Sequence, residues 1–387
     1  MTGEYVVDAL AALARVPSAV PLGAETLIAP DHPTLVRYVQ DHLRPAFLEV
    51  GADDIIDLPL NQFAVRLGDG RGPTLALMAY TPTQHHNLMA DPWSGDIRTL
   101  DGEPCLFGQG VTQNKAHQAC LLDLARWIVA ENVPLHGTLL LCVNNEGRSS
   151  HDCSRAILDA LPKTPDLVIQ LFCTGFDVSI GNRGRVDVLV EIEGRTAHSS
   201  APPGSGRVID TAADVVVKLR ELNAKAQSRK HPELGHEQVV PYLVSYEPLA
   251  PHTLPGSARI TVDRRLLPGT DPDDAALEIA QALKGVAGGC DIAVRPGVTM
   301  LPAYLPPERR AVLDALDGAI RARLGEPRHT VYGGSFDAGG PAERGIPTVM
   351  FGVPEEGDLL GDDYVRLSAV RDEAAILRDT VTRFLEA

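Results

Sequence analysis

The stretch from Thr138 to Leu171, TLLLCVNNEGRSSHDCSRAILDALPKTPDLVIQL, decides the fold. Residues 138 to 143 form an unbroken apolar run of strand length, and the polar run Asn144 to His151 follows it at once. Residues 152 to 160 read as a helix, and 166 to 172 as a second short apolar strand. Strand, helix and strand in that order predict an α/β fold. The polar run then sits at the C-terminal end of a strand, where such folds place their chemistry.

Upstream, residues 115 to 132 read as a helix, as do 5 to 15 and 33 to 46. Asn61 to Leu67 and Thr74 to Ala79 read as a hairpin joined by the glycine-rich turn Gly68 to Gly72. Tyr80 to Gly110 is too long for an ordinary connector and is expected to be a site-forming loop. Downstream of Gly184 the pattern changes. A strand at Val186 to Glu193 precedes a helix with Val208, Ala212, Val215, Leu219 and Leu222 on one face. Strands near 240 to 246 and 258 to 263, a helix near 272 to 286 and a strand near 291 to 295 complete an α+β block. The proline-rich stretch Pro302 to Pro307 marks the return, with helices at 308 to 324 and Val365 to Phe384 and a strand at Thr348 to Gly352.

The chain has 387 residues, enough for two domains or one with an insertion. Its formal charge of -16, from 51 acidic and 35 basic residues, disfavours nucleic acid and anionic membranes as partners. No stretch has the composition of a signal peptide or a membrane span, so a cytoplasmic protein is expected. Six cysteines are scattered without a Cys-x-x-Cys pair, and most of them are expected to be buried thiols.

Six motifs carry a resemblance. They are Asp91-Pro92-Trp93-Ser94-Gly95, Gly108 to Lys115, Gly181-Asn182-Arg183-Gly184, Gly194 to Ser199, Val262 to Gly269, and Asp337-Ala338 before Arg344-Gly345-Ile346-Pro347. In this order, from about residue 8 onward, the chain resembles the M20 metallopeptidases and amidohydrolases. The resemblance implies an α/β catalytic domain of residues 1–183 and 296–387, with an inserted α+β lid or dimerisation domain of residues 184–295. It further implies a homodimer through that insertion.

In that family an aspartate bridges two zinc ions and a glutamate serves as general base. The same motifs here place Tyr80 and Pro82 where the first histidine and its orienting acid belong. Gln113 stands at the bridging aspartate and Asn145-Glu146 at the paired glutamates. Phe172, or Cys173 one residue on, stands at the next acid, and the closing histidine falls near Leu359. A neutral amide cannot offset two cations about 3.5–4 Å apart. The expectation is therefore no metal and no cofactor.

Glu146, His198 and Tyr80 are the candidate catalytic residues, with His198 at the family's lid histidine. The candidate substrate-binding residues are Gln113, Asn114, Asn145, Arg183, Arg265, Asp337, His85 and His86. An arginine fork suits a substrate carboxylate, and the glycine-rich turn around Asp337 can hold an anion. Three readings stay open. One is a metal-independent enzyme acting on a small carboxylate-bearing amide or acylamino-acid-like metabolite, with non-hydrolytic acid-base chemistry among its options. The second is a non-catalytic protein that binds a small molecule or stabilises a partner, and the third is a zinc amidohydrolase with a rebuilt ligand set.

Overall fold

The computed structural model describes residues 4–20, 29–83, 89–146, 150–286, 288–334, 336–357 and 361–386. The expected roles of His85, His86 and the segment around Leu359 fall outside them. The chain divides into two compact units, one of residues 1–181, 303–331 and 337–387 and one of residues 182–302 and 332–336.

The elements of the first stretch are helix α1 (Tyr5–Ala14), strands β1 (Ile55–Leu58), β2 (Gln62–Leu67), β3 (Thr74–Tyr80), β4 (Asp96–Leu100) and β5 (Glu103–Phe107), and helix α2 (Ala116–Ala130). Strand β6 (Thr138–Asn144), helix α3 (Asp152–Ala160) and strands β7 (Leu167–Leu171) and β8 (Val178–Asn182) follow. The second unit holds β9 (Gly184–Glu193), α4 (Val208–Ala226), β10 (Gln238–Glu247), β11 (Ser257–Leu266), α5 (Pro272–Leu283) and β12 (Asp291–Met300). The return adds α6 (Asp314–Leu324), β13 (Thr348–Phe351), β14 (Tyr364–Arg366) and α7 (Leu367–Phe384).

The first unit is built on a sheet in the order β1-β2-β6-β3-β7-β13-β8, extended past β8 by short strands at Ala303–Tyr304 and His329–Tyr332. Strands β3, β6, β7 and β13 run parallel. Their apolar runs are buried on both faces, as parallel strands between helical layers must be. Leu75, Leu77 and Ala79 of β3 join the core shared with α1, α2, α6 and α7. Ala76 and Met78, one residue out of phase, pack with Ile157 of α3.

The expected hairpin of β2 and β3 is not formed. β6 lies between them, antiparallel to β2 and parallel to β3. The glycine turn is wide because the chain entering β6 threads it. Asp69 and Gly70 donate their amides to Leu135 O (3.1 Å) and Gly137 O (2.8 Å). A Cβ at Gly68 or Gly72 would lie 2.4 Å from the backbone of Gly137 or His136. Within the expected loop Tyr80 to Gly110, β4 and β5 form an antiparallel hairpin that also pairs with β14. Strand β4 is exposed along most of its length and so lacks an apolar alternation in sequence.

The second unit is an antiparallel sheet in the order β10-β11-β9-β12. One face is covered by α4 and α5 through Val188, Val190, Val215, Leu219, Ile260 and Ile279. Strand β12 pairs with β9 past residue 296, as far as Met300. The return to the first unit therefore lies later than the expected boundary. Strand β10 is an edge whose Val240, Tyr242, Leu243 and Val244 are exposed.

Candidate active site

Parallel strands align their C-terminal ends, and here these ends carry Tyr80, Asn144 and Leu171. The residues that follow are pulled into one polar pocket. Glu146 leaves β6 and turns back toward the start of α3. There its Oε2 accepts from Ser154 N and Ser154 Oγ, both at 2.9 Å. A helix N-terminus stabilises an anion placed in this way. His151 sits just before α3 with a positive φ of 69° and is fully buried. Burial, then the nearby Arg155, pulls its imidazole down to about 4, against the pull of Glu343. It is therefore neutral at physiological pH.

Asp337 completes the group. Glu146, His151 and Asp337 each offer a ligand atom within 4.8 Å of the others, and all three are buried. Burial first, then the Glu146 carboxylate, pushes the Asp337 carboxyl well above its usual range, against the effect of Tyr80. Burial also pushes the Tyr80 phenol well up, with Asp337 and Glu146 adding to it. The Tyr80 phenol and the Asp337 carboxyl interact with each other, and no other described residue hydrogen-bonds Tyr80 Oη or Asp337 Oδ1.

The positions implied as metal ligands are filled by a neutral network. The rings of Tyr80 and Phe172 meet edge to face with centroids 5.9 Å apart. Asn145 Nδ2 donates to Leu60 O and Asn61 O, both at 2.9 Å, and its Oδ1 accepts from Thr81 Oγ1. Asn145 is thus spent on the protein's own backbone and on Thr81. Gln113 is buried, and Asn114 donates to Thr81 O at 2.8 Å while its Oδ1 has no partner among the described residues. The residues present do not fit a two-zinc centre.

Gln113 and Asn114 lie in a π-helical turn, Val111–Lys115, that opens at Gly110 with φ of 80°. A Cβ at Gly110 would lie 2.4 Å from Thr83 Oγ1 and 2.6 Å from Asn114 Oδ1, so only glycine fits. Asp363 holds this turn, accepting from Gly110 N at 2.6 Å and Thr112 Oγ1 at 2.9 Å. Burial nonetheless raises its carboxyl to about 6, against these bonds and the charge of Lys115. Lys115 itself is buried against Val16 O at 2.8 Å and the Trp93 ring at 4.3 Å, and burial lowers it to about 7.

A pH prediction follows for Asp363. The folded chain holds this proton up to about pH 6, whereas the unfolded chain releases it near 4. Its contribution to stability is therefore lost as pH rises from about 4 to about 6, by about 3 kcal/mol in all. Urea unfolding of the wild type and of D363N across this window checks it, because the variant lacks that component of the slope.

In the second unit the three singled-out residues make local contacts. His198 is exposed on a two-residue strand paired with Thr253–Leu254. Its Nδ1 lies 2.8 Å from Ser200 Oγ, and its ring stacks on His252. Arg183 donates to His236 O and Gly333 O, both at 3.0 Å. Arg265 makes a two-pronged pair with Asp263, both bonds at 2.8 Å. The fully buried arginine is its neighbour Arg264, which donates to Glu237 at 2.6 Å and Glu278 at 3.1 Å.

The fold, a mixed α/β domain plus a separate unit that matches a dimerisation domain, is similar to that of M20 peptidases and amidohydrolases, and its pocket holds an incomplete metal-binding cluster of three residues. Residues 180–289 match the M20 Peptidase dimerisation domain. The chain is 23% identical over 282 residues to a succinyl-diaminopimelate desuccinylase of a Nitratiruptor species, covering 69% of this chain and 73% of that one. It is 24% identical over 236 residues to an acetylornithine deacetylase of Pectobacterium carotovorum, covering 59% and 60%. Among solved structures, the M20 family metallo-carboxypeptidase Sso-CP2 from Sulfolobus solfataricus superposes with a TM-score of 0.76 at 12% identity, covering 99% of both chains. Aminopeptidase PepT from Bacillus cereus superposes with a TM-score of 0.72 at 17% identity, covering 99% and 98%.

Sequence reasoning marked Tyr80, Glu146 and Asp337, and the structure brings these three together. It did not single out His151, although that residue ends the polar run Asn144 to His151. The available signal was its place directly before a helix in a run that leaves a buried strand.

Proposed function

We propose that the chain is a metal-independent enzyme acting on a small, carboxylate-bearing amide or acylamino-acid-like metabolite by acid-base chemistry. The observation that carries this reading is the buried pair of Glu146 and Asp337, whose environments differ. Glu146 is held by Ser154 at a helix N-terminus, while Asp337 is pushed toward its neutral form. A carboxyl kept neutral beside a second carboxyl anchored by hydrogen bonds can serve as the acid of an acid-base pair. Glu146 accepts a proton from the substrate or from water, and Asp337 donates one to the departing or rearranging group. Tyr80, neutral and beside the Asp337 carboxyl, is the donor assigned to a developing oxyanion.

The substrate class is carried over from the deacylating relatives, and Arg183 and Arg265 are poor donors to its carboxylate because the Arg183 Nη atoms already serve carbonyls and Arg265 is paired with Asp263. Turnover of a panel of N-acyl amino acids, followed for hydrolysis and for isomerised or cyclised product, tests the reading. Activity is expected to persist after removal of metals by a chelator and to be lost in E146Q. Activity abolished by the chelator and restored by zinc would overturn it.

We further read the second unit as pairing two copies of the chain into a homodimer. The support is its match to a dimerisation domain and the exposed apolar edge strand β10. Sedimentation equilibrium is expected to return twice the chain mass, and a monomer at micromolar concentration would remove this reading. A cytoplasmic setting accords with the six free cysteines, five of them buried. No described helix is long and apolar enough to cross a membrane.

A further inference from the structure

We propose that Glu146, His151 and Asp337 form a site for one divalent cation of the zinc or manganese class, assembled from a different residue set than the M20 resemblance implies. Of these three, only Glu146 stands at a family ligand position. His151 lies five residues further on, and Asp337 comes from the glycine-rich turn before residues 339–343. One imidazole and two carboxylates are a ligand set that zinc and manganese both accept.

The geometry is close to closed. All three ligand atoms lie within 4.8 Å of one another, against ligand separations of about 3.4 Å around a tetrahedral zinc with bonds near 2.1 Å. Side-chain adjustments of about 1 Å bring them onto a common centre. Two polar atoms beside the cluster point to a missing ligand. Asp337 Oδ1 and Tyr80 Oη are buried, and beyond the interaction of these two side chains with each other no described residue hydrogen-bonds either atom, so both have capacity left for a ligand.

The site holds one ion and not two. Two carboxylates offset a single divalent charge, while Gln113, Asn145 and Phe172, at other positions the resemblance assigns to ligands, contribute no charge to a second. The cation binds the same carboxyl groups that the acid-base reading uses. Loading therefore displaces their shared proton, and the ion acts as an inhibitor wherever that reading holds. Binding itself does not depend on the reading.

The experiment uses the full chain, stripped with a chelator, equilibrated with zinc chloride or manganese chloride, desalted and analysed for metal. About one ion per chain is expected in the wild type and none above the buffer level in H151A and D337N. A cation-dependent rise in Tm is expected in the wild type and absent from both variants, which also reports whether each variant is folded. E146Q replaces any variant that is not. Equal loading of wild type and variants, no loading at all, or two ions per chain surviving H151A would overturn the site. If the site fails while chelator-treated protein still turns over substrate, the acid-base reading stands alone. If one ion binds and turnover disappears on chelation, the site stands and that reading falls.

Discussion

Asp337→Asn is expected to lower kcat by about 100- to 10,000-fold while leaving KM nearly unchanged. The substitution keeps the shape of the side chain and one acceptor oxygen but removes the transferable proton. In the wild type kcat falls at high pH as Asp337 loses that proton, and in D337N this alkaline limb disappears. The same substitution moves stability the other way. Burial and Glu146 raise the Asp337 carboxyl in the folded chain, so the folded state keeps a proton that the unfolded chain has released. Stability is then lost as pH rises past the unfolded value, near 4. Without that ionisable group, D337N is expected to be at least as stable as the wild type at pH 7 by urea unfolding. A variant that is stable and fully active would contradict the role given to Asp337.

The second large effect lies in the other unit. Arg264→Ala is expected to destabilise it by about 3–5 kcal/mol, the loss seen when one partner of a buried ion pair is removed. Arg264 and Glu237 are both about 1% exposed and meet at 2.6 Å. Burial works to raise the Glu237 carboxyl, but hydrogen bonds from Thr270, Arg264 and Arg229 outweigh it and hold the group below its usual range. Removing Arg264 leaves that charge undercompensated in the interior. Arg265→Ala breaks only the partly exposed pair with Asp263, and a loss of about 1 kcal/mol is expected. Thermal or urea unfolding of the two variants checks the contrast. Equal losses would show that Arg264 gains nothing from its burial.

That contrast was legible in the sequence. In β11 Val262, Arg264 and Leu266 are buried while Asp263 and Arg265 are less so, an alternation that the period of a strand already implies. The familiar motif drew attention to Arg265 instead. The order of strands and helices was legible for a related reason, because runs such as Thr138–Asn144 are apolar almost throughout and sit between helical layers. Strand pairing was not. Whether β2 pairs with β3 or admits β6 between them depends on contacts made by Gly68 and Gly72 with a segment more than 60 residues away. No local pattern carries that distance. The exposed hairpin β4-β5 escaped for want of an apolar face.

The positions that the resemblance assigns to metal ligands were equally readable, since Tyr80, Gln113 and Asn145 carry no carboxylate or imidazole. What the residue types do not tell is how these side chains are used. Asn145 turns to Leu60, Asn61 and Thr81, the Tyr80 ring packs on Phe172, and Glu146 swings to Ser154 and Asp337. His151 enters the group through a backbone conformation with φ of 69°, a feature that no sequence periodicity reports.

The central claim is that the residues of this M20-like scaffold do not hold a two-metal centre. Anomalous diffraction at the zinc edge from crystals soaked in zinc chloride tests it most directly. The account predicts at most one strong peak in the pocket, bounded by Glu146, His151 and Asp337. Two peaks about 3.5–4 Å apart, lying between Glu146 and the side chains of Tyr80, Gln113 and Asn145, would contradict it.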